Sequence, residues 1–158
     1  VLLVAIGMFM ATGSFAVADL LSAEMPLVRY LPLIFIGFLY VLTIKLRKSP
    51  FDISMAQHAH QEIVRGIVTE FSGRTLALVE LSHWYETVLF LGWTGMFVVW
   101  AGGWIAGVIA VIVALVVWFL EIWIDNNFAR FKWETMLKSA WWVALVAGTL
   151  NIVYLLFI

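Results

Sequence analysis

The feature that most constrains this chain is a run without any charged residue that extends from residue 87 to residue 120. As one helix, the run would be roughly 50 Å long at about 1.5 Å per residue, well beyond the ~30 Å hydrocarbon core of a bilayer. An Ala-Gly-Gly sequence at residues 101–103, flanked by Trp100 and Trp104 as interfacial anchors, is the best place to divide it. The run therefore predicts two membrane-spanning helices.

The amino-acid composition also indicates a lipid environment. Hydrophobic residues make up 65% of the 158-residue chain, charged residues make up 12%, and the mean hydropathy is +1.05. A soluble domain is about half apolar and about a quarter charged, and a chain this small cannot hide so many apolar residues from water. We predict an all-α, polytopic transmembrane helix bundle that forms a single domain over residues 1–158.

The other apolar segments bring the predicted number of spans to about five. These lie at about residues 1–18, 27–44, 75–100, 104–124 and 139–157. Lys and Arg concentrate between the second and third spans and between the fourth and fifth, whereas the opposite side holds only Arg29. The positive-inside rule then places the loops at about residues 47–74 and 125–138 in the cytoplasm.

Charge and cysteine content exclude several functions. The net charge of −1 gives no electrostatic basis for binding nucleic acid. The sequence contains no cysteine, which excludes disulfides and an iron–sulfur or thiolate-bound metal site in this chain. No phosphate-binding loop, Ser/His/Asp set or zinc-ligand spacing is present. We expect no cofactor or metal in this chain.

Ionisable residues recur on the third predicted span at Glu80, His83 and Glu86. Glu86 lies roughly 16 Å past Thr75, where an acidic side chain costs about 2.5–3.5 kcal/mol unless it faces protein or water. Carboxyl and imidazole groups in such surroundings can relay protons, although hydrogen bonds that only hold helices together would use the same residue types. Glu121 near the inner end of the fourth span either extends this path or pairs with a basic loop residue.

The first cytoplasmic loop is too long for a simple turn and is rich in ionisable residues. Its members are Asp52, His58, His60, Glu62, Arg65, Glu70 and Arg74. Two interpretations remain open, a solvated amphipathic connector and a contact surface for a partner protein. The two histidines with the following glutamate resemble a fragment of a metal site, but without further ligands nearby we predict that they face solvent or a partner.

Both cytoplasmic loops carry recognisable strings. The first has Ser-Pro-Phe-Asp-Ile at residues 49–53, Gln-Glu-Ile-Val-Arg-Gly at 61–66 and Thr-Glu-Phe-Ser-Gly at 69–73, and the second has Arg-Phe-Lys-Trp-Glu at 130–134. Together they resemble the family of the H-type membrane subunit (mitochondrial subunit 1) of respiratory complex I. Members of that family contain about eight helices, so the resemblance implies that this chain is an N-terminally incomplete version of such a protein.

Departures from that pattern resemble a related branch. His-Ala-His-Gln-Glu at residues 58–62, Leu-Ala-Leu-Val-Glu at 76–80 and His-Trp-Tyr-Glu at 83–86 are similar to energy-converting, membrane-bound nickel–iron hydrogenases. This resemblance implies a membrane anchor and coupling subunit in the cytoplasmic membrane of a prokaryote. It would link ferredoxin-dependent hydrogen evolution or uptake to translocation of protons or sodium ions, and so take part in an oxidoreductase complex.

The resemblance also assigns partners and residue roles. The nickel–iron centre and iron–sulfur clusters would reside on the hydrogenase large and small subunits and an iron–sulfur subunit, beside antiporter-like membrane subunits. Asp52, Glu62 and Glu70 would lie beneath the cluster-bearing partner, with Glu80, His83, Glu86 and Glu121 along the ion path. The residues expected to pair with carboxylates or contact a partner are His58, His60, Arg65, Arg74, Arg130 and Lys132.

Two other functions fit the same residues, as does a pure scaffold that holds the complex together without an ion path. A quinone-linked membrane subunit of the H type, as in complex I, would share the loops and the buried carboxyls. A stand-alone ion-coupled transporter would also need carboxyls in its membrane helices, but it would usually show inverted repeats and broken helices, neither of which is evident.

Overall fold

A computed structural model describes residues 2–46, 50–51, 70–129 and 131–157. Within these ranges all regular secondary structure is helical and there is no strand, which confirms the predicted fold class. Six α-helices are described: α1 (Leu2–Thr12), α2 (Val17–Leu21), α3 (Pro32–Lys45), α4 (Gly73–Met96), α5 (Trp104–Asn127) and α6 (Trp133–Leu156). A short 3-10 helix, Leu27–Arg29, precedes α3.

The predicted break within the long uncharged run is confirmed. Helix α4 ends at Met96 and α5 begins at Trp104, directly after Gly103. Gly103 has φ of 66°, a left-handed conformation that glycine adopts without a steric penalty. The Ala-Gly-Gly sequence therefore lies in the connection between the two helices and allows the chain to reverse into α5.

The prediction of a single helix over residues 1–18 is wrong. Helix α1 stops at Thr12, and the chain resumes helical structure only at Val17. Gly13 has φ of 74°, and its N–H donates to the carbonyl of Phe9 at 2.7 Å, as in a left-handed helix C-cap. The absence of charge did not reveal this break, because Thr12, Gly13 and Ser14 are uncharged and interrupt the apolar stretch only briefly.

The last helix begins earlier than its apolar stretch suggests. The sequence predicts a start near residue 139, whereas α6 starts at Trp133. Glu134 lies in the first turn, where a negative charge stabilises the positive end of the helix dipole. Much of the predicted loop at 125–138 is therefore helical, since α5 also continues to Asn127.

The helices form two packed groups that meet at a cluster of aromatic rings. Helix α3 packs along α6, α1 lies against both, and α4 and α5 form a hairpin. Phe38 of α3 joins the groups, because its ring lies 6.4 Å from Phe90, 6.1 Å from Trp93 and 5.6 Å from Phe97 between centroids. Phe38 and Phe97 are almost fully buried, so this cluster is the centre of the core.

Backbone hydrogen bonds between loops fix both ends of the bundle. At one end, the Phe131 N–H donates to the Pro50 carbonyl at 2.9 Å, which joins the two loops predicted to be cytoplasmic. At the other end, Val28 N–H donates to the Phe97 carbonyl at 2.7 Å. We call the first the basic end. The two Lys- and Arg-rich loops thus share one side, and the cytoplasmic location of that side stays a prediction.

The outer surface of the bundle is apolar along its long helices. Among the described helices, α5 and α6 are long and apolar enough to cross a membrane, while α1 and α3 are apolar but shorter than the ~20 residues a crossing needs. On α5, Val111, Leu115 and Phe119 are 60%, 55% and 69% exposed. Continuous exposure of such residues fits hydrocarbon, not water.

Close contact between α3 and α6 depends on Gly37. A Cβ atom at this position would lie 3.0 Å from Ala147 Cβ and 3.8 Å from Val143 Cγ1. We expect Gly37→Leu to force the two helices apart and to lower the stability of the bundle by about 1–3 kcal/mol. Detergent-titrated unfolding followed by circular dichroism measures this change. Gly107→Leu, where a Cβ meets open space, is the control, and an equal loss in both variants would contradict the prediction.

Candidate functional site

The packed face of α4 contains two of the three ionisable residues predicted there. His83 and Glu86 are half-buried and lie in line with the buried side chains of Phe90 and Thr94. Glu80 is exposed. Three residues fall short of the 3.6 residues of a full turn, so each step of this series rotates by roughly 60°, and Glu80 and Glu86 lie on opposite sides of His83, about 120° apart.

The matching face of α5 ends in a buried carboxyl group. Ala106, Ala110 and Val117 are buried along one stripe, and Glu121 continues it one turn later with only 2% of its surface exposed. Asp125 follows after one more turn and is half-buried. A stripe that begins with small apolar residues thus becomes acidic towards the basic end of the bundle.

The register of the α4–α5 hairpin brings these residues to one depth. A Cβ on Gly95 would lie 3.6 Å from Ala110 Cβ, so Gly95 and Ala110 face each other across the hairpin. Trp84 lies 11 residues before Gly95, and Glu121 lies 11 residues after Ala110. Both steps correspond to roughly 16 Å along antiparallel helices, so Glu121 is level with residues 83–87.

We refer to His83, Glu86 and Glu121 as the acidic layer. Each lies on the face by which its helix packs in the bundle. An ionisable side chain within an apolar span is expensive in lipid and is normally retained for proton or ion movement, or for binding. The layer is chemically suited to accept, hold and release a proton, because it combines two carboxyl groups with an imidazole.

The remaining predicted residues fall into two groups. Glu70, Arg74 and Lys132 are exposed at the basic end, before or at the starts of α4 and α6. Six others lie outside the described residues: Asp52, His58, His60, Glu62, Arg65 and Arg130. Within the described ranges, no three His, Cys, Asp or Glu residues are grouped so that they could hold a metal ion.

The Pro-Phe pair of the first loop is part of the packing at the basic end. Phe51 is buried, and its ring lies 5.5 Å from Tyr40 and 5.8 Å from Phe131 between centroids. The Tyr40 hydroxyl and Ser139 Oγ are hydrogen-bonded at 2.6 Å. The two recognisable loop strings thus meet, through Phe51 and Phe131, in the structure.

Sequence reasoning missed Asn151. This side chain is fully buried in α6, and its Oδ1 accepts hydrogen bonds from the N–H groups of Leu33 at 3.0 Å and Ile34 at 3.3 Å. Its Nδ2 donates to the carbonyl of Tyr30 at 3.1 Å. The available signal was an amide side chain within the otherwise apolar stretch 150–156.

Comparisons with known proteins agree on one family. The family model described as NADH dehydrogenase matches residues 1–156. A curated relative from Geobacillus kaustophilus, named as the H subunit of NADH-quinone oxidoreductase, is 32% identical over 94% of this chain and 46% of its own length. Proteins of the same name from Syntrophotalea carbinolica and Aquifex aeolicus are 27% and 25% identical, covering 90% and 94% of this chain and 44% and 47% of their own lengths.

No solved structure matches the chain. The chain spans about half the length of the curated relatives it matches. Because the family model covers nearly all of the sequence, and because the loop strings that resemble complex I meet at the basic end, the chain belongs to the NADH dehydrogenase family of membrane proteins, which includes the H subunit of NADH-quinone oxidoreductase.

Proposed function

We propose that this chain is part of a membrane subunit that couples electron transfer to ion translocation in a quinone-linked oxidoreductase of the complex I type. The observation that carries the proposal is the buried carboxyl of Glu121, level with His83 and Glu86 in the α4–α5 hairpin. The quinone-linked assignment draws support from relatives that are named as the H subunit of NADH-quinone oxidoreductase.

The chain's own contribution is structural and electrostatic. Its sequence contains no cysteine, so its residues do not fit an iron–sulfur cluster, and redox centres belong to partner subunits. Asp52, Glu62 and Glu70 would lie beneath such a partner and respond to its change of charge. The acidic layer would then take up or release a proton, or exchange a sodium ion. Which of the two ions moves depends on residues of the ion path that belong to other subunits.

Glu80 takes part in the proposal in a different way from the acidic layer. It is exposed on α4, one turn before the exposed ring of Trp84. A carboxylate within a membrane helix is costly against lipid. We therefore assign Glu80 to a contact with a further membrane helix or subunit, where it would continue the ion path beyond this chain.

A second candidate is favoured by the first loop. The string His-Ala-His-Gln-Glu at residues 58–62 and the longer spacing between Asp52 and Glu62 depart from complex I and resemble energy-converting nickel–iron hydrogenases. In that case the redox partners would be the hydrogenase large and small subunits and an iron–sulfur subunit, with ferredoxin as electron donor. Antiporter-like membrane subunits would adjoin the chain in either complex.

The two candidates predict different reactions for the purified complex. A quinone-linked complex reduces quinone with electrons from NADH or another donor and produces no hydrogen from reduced ferredoxin. A hydrogenase complex evolves hydrogen from reduced ferredoxin and leaves quinone unreduced. Both assays on one preparation, with the co-purifying subunits identified by mass spectrometry, decide between them. Isolation of the chain without any redox subunit would contradict both candidates and favour a stand-alone transporter.

A further inference from the structure

Two shallow cavities adjoin on the outer surface of α6. One, of about 270 Å³, is lined by Lys138, Trp141 and Trp142 with two leucines. The other, of about 350 Å³, runs between α3 and α6 and is lined only by apolar residues and Trp142, among them Ile36 and Leu150. Trp142 lines both cavities, so they adjoin at its indole ring, and we call the two together the α3–α6 groove.

The length of the α3–α6 groove matches one leaflet of a bilayer. From Lys138 to Leu150 the groove follows α6 for about 18 Å at 1.5 Å per residue. Half of the ~30 Å hydrocarbon core is about 15 Å, which is the depth an acyl chain occupies from its own headgroup region. A single lipid chain therefore fits along the groove without crossing into the other leaflet.

The charge at the mouth of the groove favours an anionic headgroup. Lys138 is exposed, and among the residues that the structure describes it has no ion-pair partner. Lys132 is exposed as well, six residues before Lys138 at the basic end. Trp141 and Trp142 are 63% and 70% exposed one turn further in, where indole rings favour the interface between headgroups and hydrocarbon.

A protein helix fits this groove less well than a lipid. Helices that pack in membranes usually meet through small residues that let their backbones approach. The small residues here, Gly37 and Ala147, already lie against each other across the α3–α6 contact. The exposed lining consists of bulky side chains such as Ile36, Trp142 and Leu150, which a flexible acyl chain follows more easily than a rigid helix.

We propose that the α3–α6 groove is a binding site for an anionic phospholipid of the leaflet at the basic end. The phosphate lies near the ammonium group of Lys138, the glycerol region lies against Trp141 and Trp142, and one acyl chain lies along the groove towards Leu150. Nothing in this assignment depends on the electron donor or on the ion that the complex moves.

Photolabelling in vesicles tests the site. The complex is reconstituted with phosphatidylglycerol that carries a diazirine in its acyl chain, and in parallel with the matching phosphatidylcholine, and labelled peptides are mapped by mass spectrometry. We expect phosphatidylglycerol to label residues of the groove preferentially. Lys138→Gln should lower that labelling about fivefold, the factor expected from one lysine beside an anionic lipid, without affecting the phosphatidylcholine signal.

Two variants distinguish lipid binding in the groove from a general effect of positive charge at this end of the bundle. Lys45→Gln removes an equal charge from the same end but outside the groove lining, and should leave groove labelling unchanged. Val146→Trp fills the groove while retaining Lys138, and should abolish groove labelling. Equal labelling by both lipids, an equal loss in Lys45→Gln, or cross-linking of a photoreactive residue at position 146 to another protein chain would each overturn the proposal.

Discussion

Replacing Glu121 by glutamine is expected to abolish ion translocation by the assembled complex while electron transfer between its redox partners continues. Glutamine keeps the shape of the side chain and one acceptor oxygen, so the packing of α5 against α4 should persist. It cannot bind and release a proton or balance a cation. Loss of a positioned proton-transfer group typically costs a factor on the order of 100 or more, and we expect a fall of that size.

The measurement is ion uptake into proteoliposomes, normalised to the rate of electron transfer in the same preparation. Glu134→Gln is the matched control, because Glu134 is an exposed carboxyl in the first turn of α6, outside the acidic layer, and its loss should leave the ratio unchanged. Undiminished uptake by the Glu121→Gln complex would show that the ions follow another route, and the acidic layer would then serve only to hold α4 and α5 together.

Much of the architecture follows from the amino-acid sequence because lipid imposes simple rules on it. The long uncharged run had to be divided, and glycine at position 103 supplied a place where a left-handed backbone costs little. The two basic loops were predicted on one side by charge alone, and the hydrogen bond between Phe131 and Pro50 shows that they do meet. Helix class and connectivity were therefore accessible without a structure.

The helix boundaries were less accessible, since hydropathy measures environment and not backbone conformation. Residues 1–18 carry no charge and are mostly apolar, yet the backbone at Gly13 turns left-handed and ends α1. At the other extreme, Trp133 to Lys138 are polar enough to suggest a loop but form the first turns of α6. Composition could not distinguish a helix that leaves the membrane from a loop.

The candidate site, like the fold, could be predicted from the sequence only in part. The sequence identified the ionisable residues of α4 but grouped Glu80 with His83 and Glu86, and the structure separates it by exposure. Glu121 was named from its position in an apolar span, and its near-complete burial fits that reasoning. Its alignment with residues 83–87 depends on the register of two helices, which is set by the contact of Gly95 with Ala110.

Asn151→Leu is expected to destabilise the bundle severely, because it removes three hydrogen bonds from the buried start of α3. The N–H groups of Leu33 and Ile34 belong to the first turn of that helix and have no intrahelical acceptor, so Asn151 acts as a cap supplied by another helix. Each buried group left without a partner costs about 1–3 kcal/mol. Allowing for partial relaxation, we expect a total loss of about 3–5 kcal/mol.

Detergent-titrated unfolding measures this loss, and Thr149→Val is the control on the same helix. The hydroxyl of Thr149 is exposed and bonds only to carbonyls of its own helix, at Leu145 and Val146, so its removal should change the stability by less than about 0.5 kcal/mol. Asn151→Asp should fall between the two, because a carboxylate still accepts from both N–H groups at the positive end of α3 but cannot donate to Tyr30. A stable Asn151→Leu bundle would mean that another group caps α3, and that the remaining contacts between α3 and α6, among them Gly37 against Ala147 and Tyr40 with Ser139, hold the two helices together.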